Sequence, residues 1–454
     1  MPISAYLYPW DVDGDPAAAD RIAGLGVSEV SLAAAYHAVR AVTPFHPGHR
    51  VVTRDAGVYH RPDPERWRGV RLRPAAPDPD QAGSFERAAD ALHRAGLKVN
   101  AWLVLAHNGR LGAAHPGCVV RNAYGDPYPW ALCVGSPEVG EYAAALSAEV
   151  AALGCVDGVE LEACGWYGYD HGSAHDKTGG GPPGGVPGWL LDTCFCQACT
   201  DAFREADADS AELARAVRAA LDTGYWQEIL VPDDSVAGAG ASVRGHSGVG
   251  EPGFGDTVLG DTVLGDTLRG DAVPEDLAEL LAKVRAATAE RFLYRVLAAV
   301  RDAAPGKGVL VHSHPDPREA GANPGFDPAV LLGRGGADGV ILQCPGPAAQ
   351  SAALVARTAQ AAHTAGLGVA AGTMGADVRA GTGRDAVPVA GRGPCRVAAT
   401  LTAVTALGAH LADLPGHAEA VLAAGATDLR LYHAGLASAA DHAAMRSIAS
   451  AFPA

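Results

Sequence analysis

The sequence predicts a single (β/α)8 barrel with insertions in the loops after strands two, three and four. Three observations carry that expectation: a repeated helix–glycine–strand junction, eight short apolar runs spread over all 454 residues, and long connections only where strands end. The junction comes first. Ala-rich stretches close on Gly26, Gly96, Gly154, Gly306, Gly336, Gly366 and Gly425, and a β-type run begins within a few residues of each. Glycine just past a helix adopts the left-handed conformation that ends it at low cost.

The runs themselves span residues 3–8, 27–33, 98–105, 157–161, 309–312, 339–342, 367–371 and 428–432. They are nearly continuous in apolar residues, as expected of parallel strands covered on both faces. Helices are expected between or after them at 137–153, 275–303, 348–365, 394–407 and 437–451. Repetition from end to end favours a closed barrel over an open sheet. No G-x-G-x-x-G follows the first run, which removes the usual dinucleotide-binding signature.

The third observation places the chemistry. Helix-to-strand connections are a few residues long, whereas 38–79, 107–136 and 165–274 are long, and a barrel carries its active site on the face where such loops begin. Within the last of these, the near-repeat TVLGDTVLGDTLRG at residues 257–270 reads as part of a low-complexity, disordered insertion around 232–272, with no catalytic role. The whole chain, 1–454, is otherwise expected to form one catalytic barrel domain.

Bulk properties narrow the function classes. The chain is 48% hydrophobic, so it can bury a large core, and its formal net charge of -16 with no Lys/Arg run argues against a nucleic-acid partner. No stretch offers the roughly 20 uninterrupted apolar residues of a membrane span. Nine unevenly spaced cysteines do not resemble a secreted disulfide framework, and the N-terminus reads as a strand, so a cytoplasmic protein is expected. Nothing in the sequence marks an interface with a second copy.

Candidate site residues cluster at the strand ends. In the fourth strand, Val156-Asp157-Gly158-Val159-Glu160-Leu161-Glu162-Ala163-Cys164, residues two apart share a face. If Val159 and Leu161 pack on helices, Glu160 and Glu162 point into the barrel, where a carboxylate needs a partner or a task. Glu162 is nearer the mouth and is the better catalytic candidate; Glu160, the second catalytic candidate of the strand, is deeper, either supporting the chemistry or binding a substrate hydroxyl, or held in a buried ion pair.

Around them the strand ends supply Trp10, Asp11, His37, Trp102, His107, Asn108, Trp166, Asp170, His171, His312, His314, Gln343 and His433. Aromatic faces beside carboxylates, His and Asn suit a sugar, whose ring faces stack on Trp or Tyr while its hydroxyls take hydrogen bonds. A small-molecule or oligosaccharide substrate is therefore expected. Glycosidic cleavage uses two carboxyl groups. The first is assigned to Glu162, and Asp316, Asp11, Asp170 and Asp377 compete for the second, with Asp316 preferred.

A resemblance adds to this reading. The segment DGVELEACGWYGYDH, followed by LLDTCFCQACTDAFRE, resembles sparsely characterised TIM-barrel families of the glycoside-hydrolase type, over about forty residues. The resemblance implies a carbohydrate-active hydrolase with its strand-four acid at Glu160 or Glu162. The strand is also similar to the D-G-x-D-x-D-x-E pattern of chitinase-type barrels at Asp157, Glu160 and Glu162. That pattern's final acid is Cys164 here, which argues against substrate-assisted catalysis and leaves a non-catalytic sugar-binding barrel as an alternative.

Metal chemistry is the other alternative. Cys194-Phe195-Cys196-Gln197-Ala198-Cys199 supplies three of the four thiols of a structural zinc site, with Cys164, His171 or His175 to complete it; equally, the thiols could simply pack at a helix start. No cofactor is required by the carboxylate mechanism. The pair His312-x-His314, with His37 or His433, would suit a metal-dependent hydrolase or isomerase, but amidohydrolase-type barrels carry that pair on strand one, where this chain has Tyr8-Pro9-Trp10-Asp11. No G-x-S-x-G elbow is present for a serine hydrolase.

Overall fold

Eight parallel strands close on themselves in the computed structural model, which describes residues 1–75, 79–169, 171, 177, 185–222, 274–316, 319, 326–334, 336–365, 367–369 and 394–452. In chain order the strands are Ile3–Leu7, Glu29–Tyr36, Lys98–Val104, Gly158–Glu162, Gly308–His312, Gly339–Gln343, Arg396–Thr402 and Asp428–Tyr432. The eighth pairs with the first through Ile3↔Leu429, which closes the ring. Among the described residues, seven α-helices cover it: Ala18–Ala23, Ser84–Arg94, Pro137–Ala151, Glu275–Ala303, Ala348–Thr364, Leu414–Ala423 and Ala439–Ala451. Apolar residues facing outward, such as Val159, Leu161, Val397 and Leu401, join the helices in one continuous core. This is the expected (β/α)8 barrel.

The seventh strand corrects the sequence reading. It was expected at 367–371, with a helix over 394–407; instead Arg396–Thr402 pairs with the sixth and eighth strands. Of the expected run, Val369 forms only an isolated bridge to Cys395. RVAATLT is rich in alanine, which favours a helix locally, but its alternating Val397, Ala399 and Leu401 fit a strand covered on both faces. Neighbours in the sheet decide between the two. Gly339 records how tightly they pack: a Cβ there would stand 2.5 Å from the Arg396 carbonyl oxygen.

The long connections build the C-terminal rim. After the second strand, Val39–Val42 and Val51–Arg54 form a hairpin, and Gly57–Val58 returns antiparallel to Tyr36 and Ala35. Glu149, on the helix Pro137–Ala151, anchors that insert by accepting from His60 Nε2 at 3.0 Å, Trp67 Nε1 at 2.9 Å and the Asp63 amide. After the third strand come the helix Gly109–Ala114 and the hairpin Val119–Arg121 with Pro127–Leu132. After the fourth come the helices Gly185–Leu191, Gln197–Glu205 and Ser210–Leu221. The expected repeat at 257–270, the wider insertion at 232–272, and Asp170, His175 and Asp377 lie outside the described residues. No helix among the described residues is long and apolar enough to cross a membrane.

The barrel interior is layered, and only part of it is apolar. Leu310, Ile341 and Ala398 form a small cluster on one side. Opposite them, Ser4, Ser31, Glu160 and Arg430 form a buried polar layer, with Asn100, Glu29, Arg396 and Asp428 below it. Strand periodicity explains the stacking: Ser4 and Tyr6, or Glu160 and Glu162, are two residues apart and share the inner face. Asp157, one step before that strand, instead lies at the N-terminal end, paired with His93 at 2.8 Å.

Candidate active site

Glu162 ends the fourth strand and is the more open of its two acids, with 13% side-chain exposure against 0% for Glu160. Trp102 reaches up from the third strand and donates its Nε1–H to Glu162 Oε2 at 2.5 Å. His312, from the fifth strand, has Nδ1 3.8 Å from the same oxygen and 3.3 Å from Gln343 Nε2. Its Nε2 lies 3.4 Å from the Tyr6 hydroxyl and 3.9 Å from Glu160 Oε2. One imidazole therefore stands between the mouth carboxylate and the deep one. The backbone after Glu162 is strained, with Ala163 at φ 56°; a left-handed non-glycine residue costs on the order of 1 kcal/mol or more, and such residues gather at functional sites.

Glu160 has a different position and a different occupation. It accepts from Ser31 Oγ at 2.9 Å and forms a buried ion pair with Arg430 Nη1. Burial pushes its carboxyl above the ordinary range, against the pull of Arg430 and Ser31. A carboxylate so engaged lies fully buried in the barrel, while Glu162 is the partly exposed one. Of the two readings the sequence left open, the buried ion pair is the one seen, so the geometry does not favour a direct catalytic part for Glu160.

A dense aromatic and imidazole basin surrounds Glu162. Tyr8 stacks on Trp10, with centroids 4.6 Å apart, and on His433 at 5.1 Å. Tyr36 meets Trp102 edge-on at 4.8 Å and stacks on His37 at 4.1 Å. His37 stacks on His107 at 4.3 Å, and His171 stands edge-on to His107 at 4.7 Å. Burial, followed by the neighbouring His37 and His171, holds His107 well below the usual histidine value and so neutral. His433, beyond the eighth strand, is again left-handed at φ 57°. The two strained positions thus flank the mouth from the fourth and eighth strands.

Other expected site residues are placed elsewhere. Asn108 caps the helix Gly109–Ala114, accepting the Leu111 amide at 2.9 Å. Trp10 and Trp102 are buried within the ring cluster. Trp166 turns away, donating to Cys133 Sγ at 3.3 Å, with the Arg285 guanidinium over its ring. Asp316 is half-buried in the loop after the fifth strand, where its amide donates to His314 Nδ1 at 3.1 Å; His314 also lies 3.8 Å from Glu319. Asp170 is outside the described residues. A cleft of about 190 Å³, lined in part by Arg54, Asp55, Tyr59, Gln81 and Arg110, shares Tyr59 with the Trp10 stack. Glu162 does not line this cleft. We centre the site on Glu162 because the reactive groups converge there, whereas the cleft is an opening between inserts.

Asp11 is buried beneath Tyr8, whose amide it accepts at 2.8 Å, and a Cβ on Gly435 would stand 1.9 Å from its Oδ2. Burial raises its carboxyl to about 7, against the Tyr8 amide and Arg21. A carboxyl whose folded value lies above its unfolded one stabilises the fold when protonated. Its contribution is complete below about pH 4, is lost as pH rises toward 7, and is flat beyond. Asp11→Asn should therefore remove a slope worth up to about 4 kcal/mol between those limits. Urea unfolding at pH 4.5 and pH 8 measures it; an unchanged difference between the two pH values in the variant would contradict this account.

Sequence reasoning misses three contributors, Tyr6, Arg430 and Cys133, and reads Tyr167 only as part of the aromatic run after the fourth strand. Tyr6 and Arg430 belong to inward faces whose identity follows from strand period once the strand is placed. Tyr167 meets His107 and His171, and its hydroxyl donates to the Trp130 carbonyl. Cys133 joins Cys194, Cys196 and Cys199, all four buried, with their sulfurs within 4.8 Å of one another. The fourth thiol is thus Cys133 rather than Cys164, while His171 packs in the basin; no local motif announces Cys133, which sits 61 positions before Cys194 (194 minus 133).

With this geometry in hand, the architecture can be set beside known proteins. The chain is similar in fold to the glycoside hydrolase domain of PgaB (BpsB) from Bordetella bronchiseptica, at 15% identity and TM-score 0.53, covering 99% of this chain and 98% of that one. It is similar to a β-galactosidase from the psychrophilic Marinomonas ef1, at 10% identity and TM-score 0.51, covering 99% of this chain and 59% of that one. An α-L-fucosidase from Paenibacillus thiaminolyticus gives 12% identity and TM-score 0.51, covering 99% and 49%. The chain thus spans about half to three fifths of the length of the last two. No protein-family model and no curated protein matches it. The class so defined is a (β/α)8 barrel, and at these identities the likeness is one of fold.

Proposed function

We propose that this protein is a glycosidase that cleaves or transfers a glycosidic bond at the C-terminal mouth of the barrel, with Glu162 as the acid/base or nucleophilic carboxylate. The observation that carries the reading is Glu162 itself. It is the partly open acid of the fourth strand, oriented by Trp102 Nε1 and faced by His312, in a basin of Tyr8, Tyr36, His37 and His433.

Each group has a task in this scheme. Trp102 holds Glu162 Oε2 and so sets how the carboxylate is presented to the glycosidic oxygen or the anomeric carbon. Neutral His107, with His37 and Gln343, offers hydrogen bonds to hydroxyls without bringing a charge. The second carboxyl comes from the strand ends and loops; Asp316 is the preferred residue, with Asp11, Asp170 and Asp377 as the competing acids. Glu160 and Arg430 position His312 and the strand from below. The fold likeness to glycoside-hydrolase domains supports the reaction class, and the nine unpaired thiols suit a cytoplasmic setting.

The test is a panel of aryl glycosides of both anomers together with oligosaccharides, followed by NMR of the released sugar and by glycan-binding calorimetry. Turnover of one member supports the proposal. Glycan affinity without turnover across the panel would make this a carbohydrate-binding barrel, and neither binding nor turnover would sink the reading altogether.

A further inference from the structure

We infer that Cys133, Cys194, Cys196 and Cys199 form a mononuclear tetrathiolate zinc site that clamps the insert after the third strand to the insert after the fourth. The inference is independent of what the mouth hydrolyses.

Geometry carries it. The four sulfurs lie within 4.8 Å of one another, and the Cys133 sulfur is 3.3 Å from that of Cys199 and 3.6 Å from that of Cys196. A tetrahedral zinc ion with bonds of about 2.3 Å holds its sulfurs roughly 3.8 Å apart, so small adjustments complete the site. Gly135 leaves room for this convergence, since a Cβ there would be 3.2 Å from Cys199 Sγ and 3.5 Å from Cys133 Sγ.

The surroundings suit thiolates better than thiols. Trp166 Nε1 donates to Cys133 Sγ at 3.3 Å, the Cys196 amide to Cys194 Sγ at 3.4 Å, and the Arg121 amide to Cys194 Sγ at 3.5 Å. N–H donors turned toward sulfur are the outer contacts that stabilise and orient metal-bound thiolates. Cys196 caps the helix Gln197–Glu205, which places Cys199 in its first turn, where the helix dipole favours negative charge. The buried Arg285 guanidinium, over the Trp166 ring at 5.6 Å, adds positive charge nearby. A disulfide would join two of the four sulfurs and leave the other two buried with weak partners. On binding, zinc displaces the four thiol protons to solvent, so that Zn²⁺ and four thiols become a Zn(S)₄ centre of net charge −2 and four protons.

The consequence is local order. Cys133 follows the hairpin after the third strand, Cys194 and Cys196 precede the helix Gln197–Glu205 with Cys199 in its first turn, and Trp166 links the cluster to the segment that follows Glu162. The zinc therefore holds Trp166 and, through the adjoining backbone, Tyr167, whose ring meets His107 and His171 in the aromatic and imidazole cluster.

The experiment uses the full chain purified without a tag from zinc-supplemented medium. Elemental analysis should find about one zinc per chain, and mercurial titration with a colorimetric zinc indicator should release it after about four thiols have reacted. Cys133→Ser should lose most of the zinc, while Cys344→Ser, at a thiol outside the cluster, should retain it. If Cys133→Ser does not fold, the titration of the unmodified chain still decides. Absence of stoichiometric zinc in that chain, or a disulfide among the four cysteines by peptide mass mapping, would overturn the inference.

Discussion

Glu162→Gln is expected to lower turnover of any responsive glycoside by about 10³-fold or more while leaving the fold intact. Removing a positioned general acid or base costs 10²–10⁴ as an order of magnitude, and removing a nucleophile costs at least as much. Glutamine is close to isosteric, and its amide oxygen still accepts the Trp102 Nε1–H that the carboxylate accepts at 2.5 Å. Stability should therefore move by less than about 1 kcal/mol, which separates lost chemistry from lost structure. Turnover within tenfold of the parent, with an unchanged unfolding midpoint, would remove Glu162 from the mechanism. With azide added to a Glu162→Gly variant, a glycosyl azide of configuration inverted from the substrate would mark Glu162 as nucleophile, and one of retained configuration would mark it as acid/base.

The second large effect concerns stability. Arg430→Met should destabilise the protein by about 3–5 kcal/mol, because it leaves the fully buried Glu160 carboxylate without its cation. Asp428 is not stranded in the same way, since Arg396 Nη2 holds it at 2.9 Å and Thr427 donates to it at 2.7 Å. Glu160→Gln combined with Arg430→Met should recover a large part of the loss, since a neutral amide beside a thioether no longer buries a bare charge. Urea unfolding of the two single variants and the double variant measures the coupling. Additive losses would show that the pair does not act as a unit, and a mild Arg430→Met effect would show that water or another cation serves Glu160.

These two variants separate acids that look alike in sequence. Glu160 and Glu162 are two residues apart on one strand, and strand period places both on the inner face. Nothing local distinguishes their tasks. The partners do: Arg430 arrives from 270 residues away and takes Glu160, while Trp102 and His312 frame Glu162 one layer higher. The same holds for aromatics. Trp166 reads as a rim residue beside Glu162, yet its ring turns toward Cys133 and Arg285, because those groups complete its hydrogen bond and cover its face.

What the sequence determined by itself was the repeat and its direction. Glycine-terminated helices, continuous apolar strands and long loops on one face are local properties, encoded in backbone conformation and period, and they define the barrel, the end at which its long loops gather and the inward pair of glutamates. Tertiary structure decided the rest. It chose Arg396–Thr402 over 367–371 as the seventh strand, since an alanine-rich run suits helix or strand until neighbours cover both of its faces. It brought Cys133 to the three clustered thiols, and it assigned one glutamate to an ion pair and the other to the mouth. Each of those outcomes depends on which distant groups meet, and long-range pairing leaves no periodic mark on the chain.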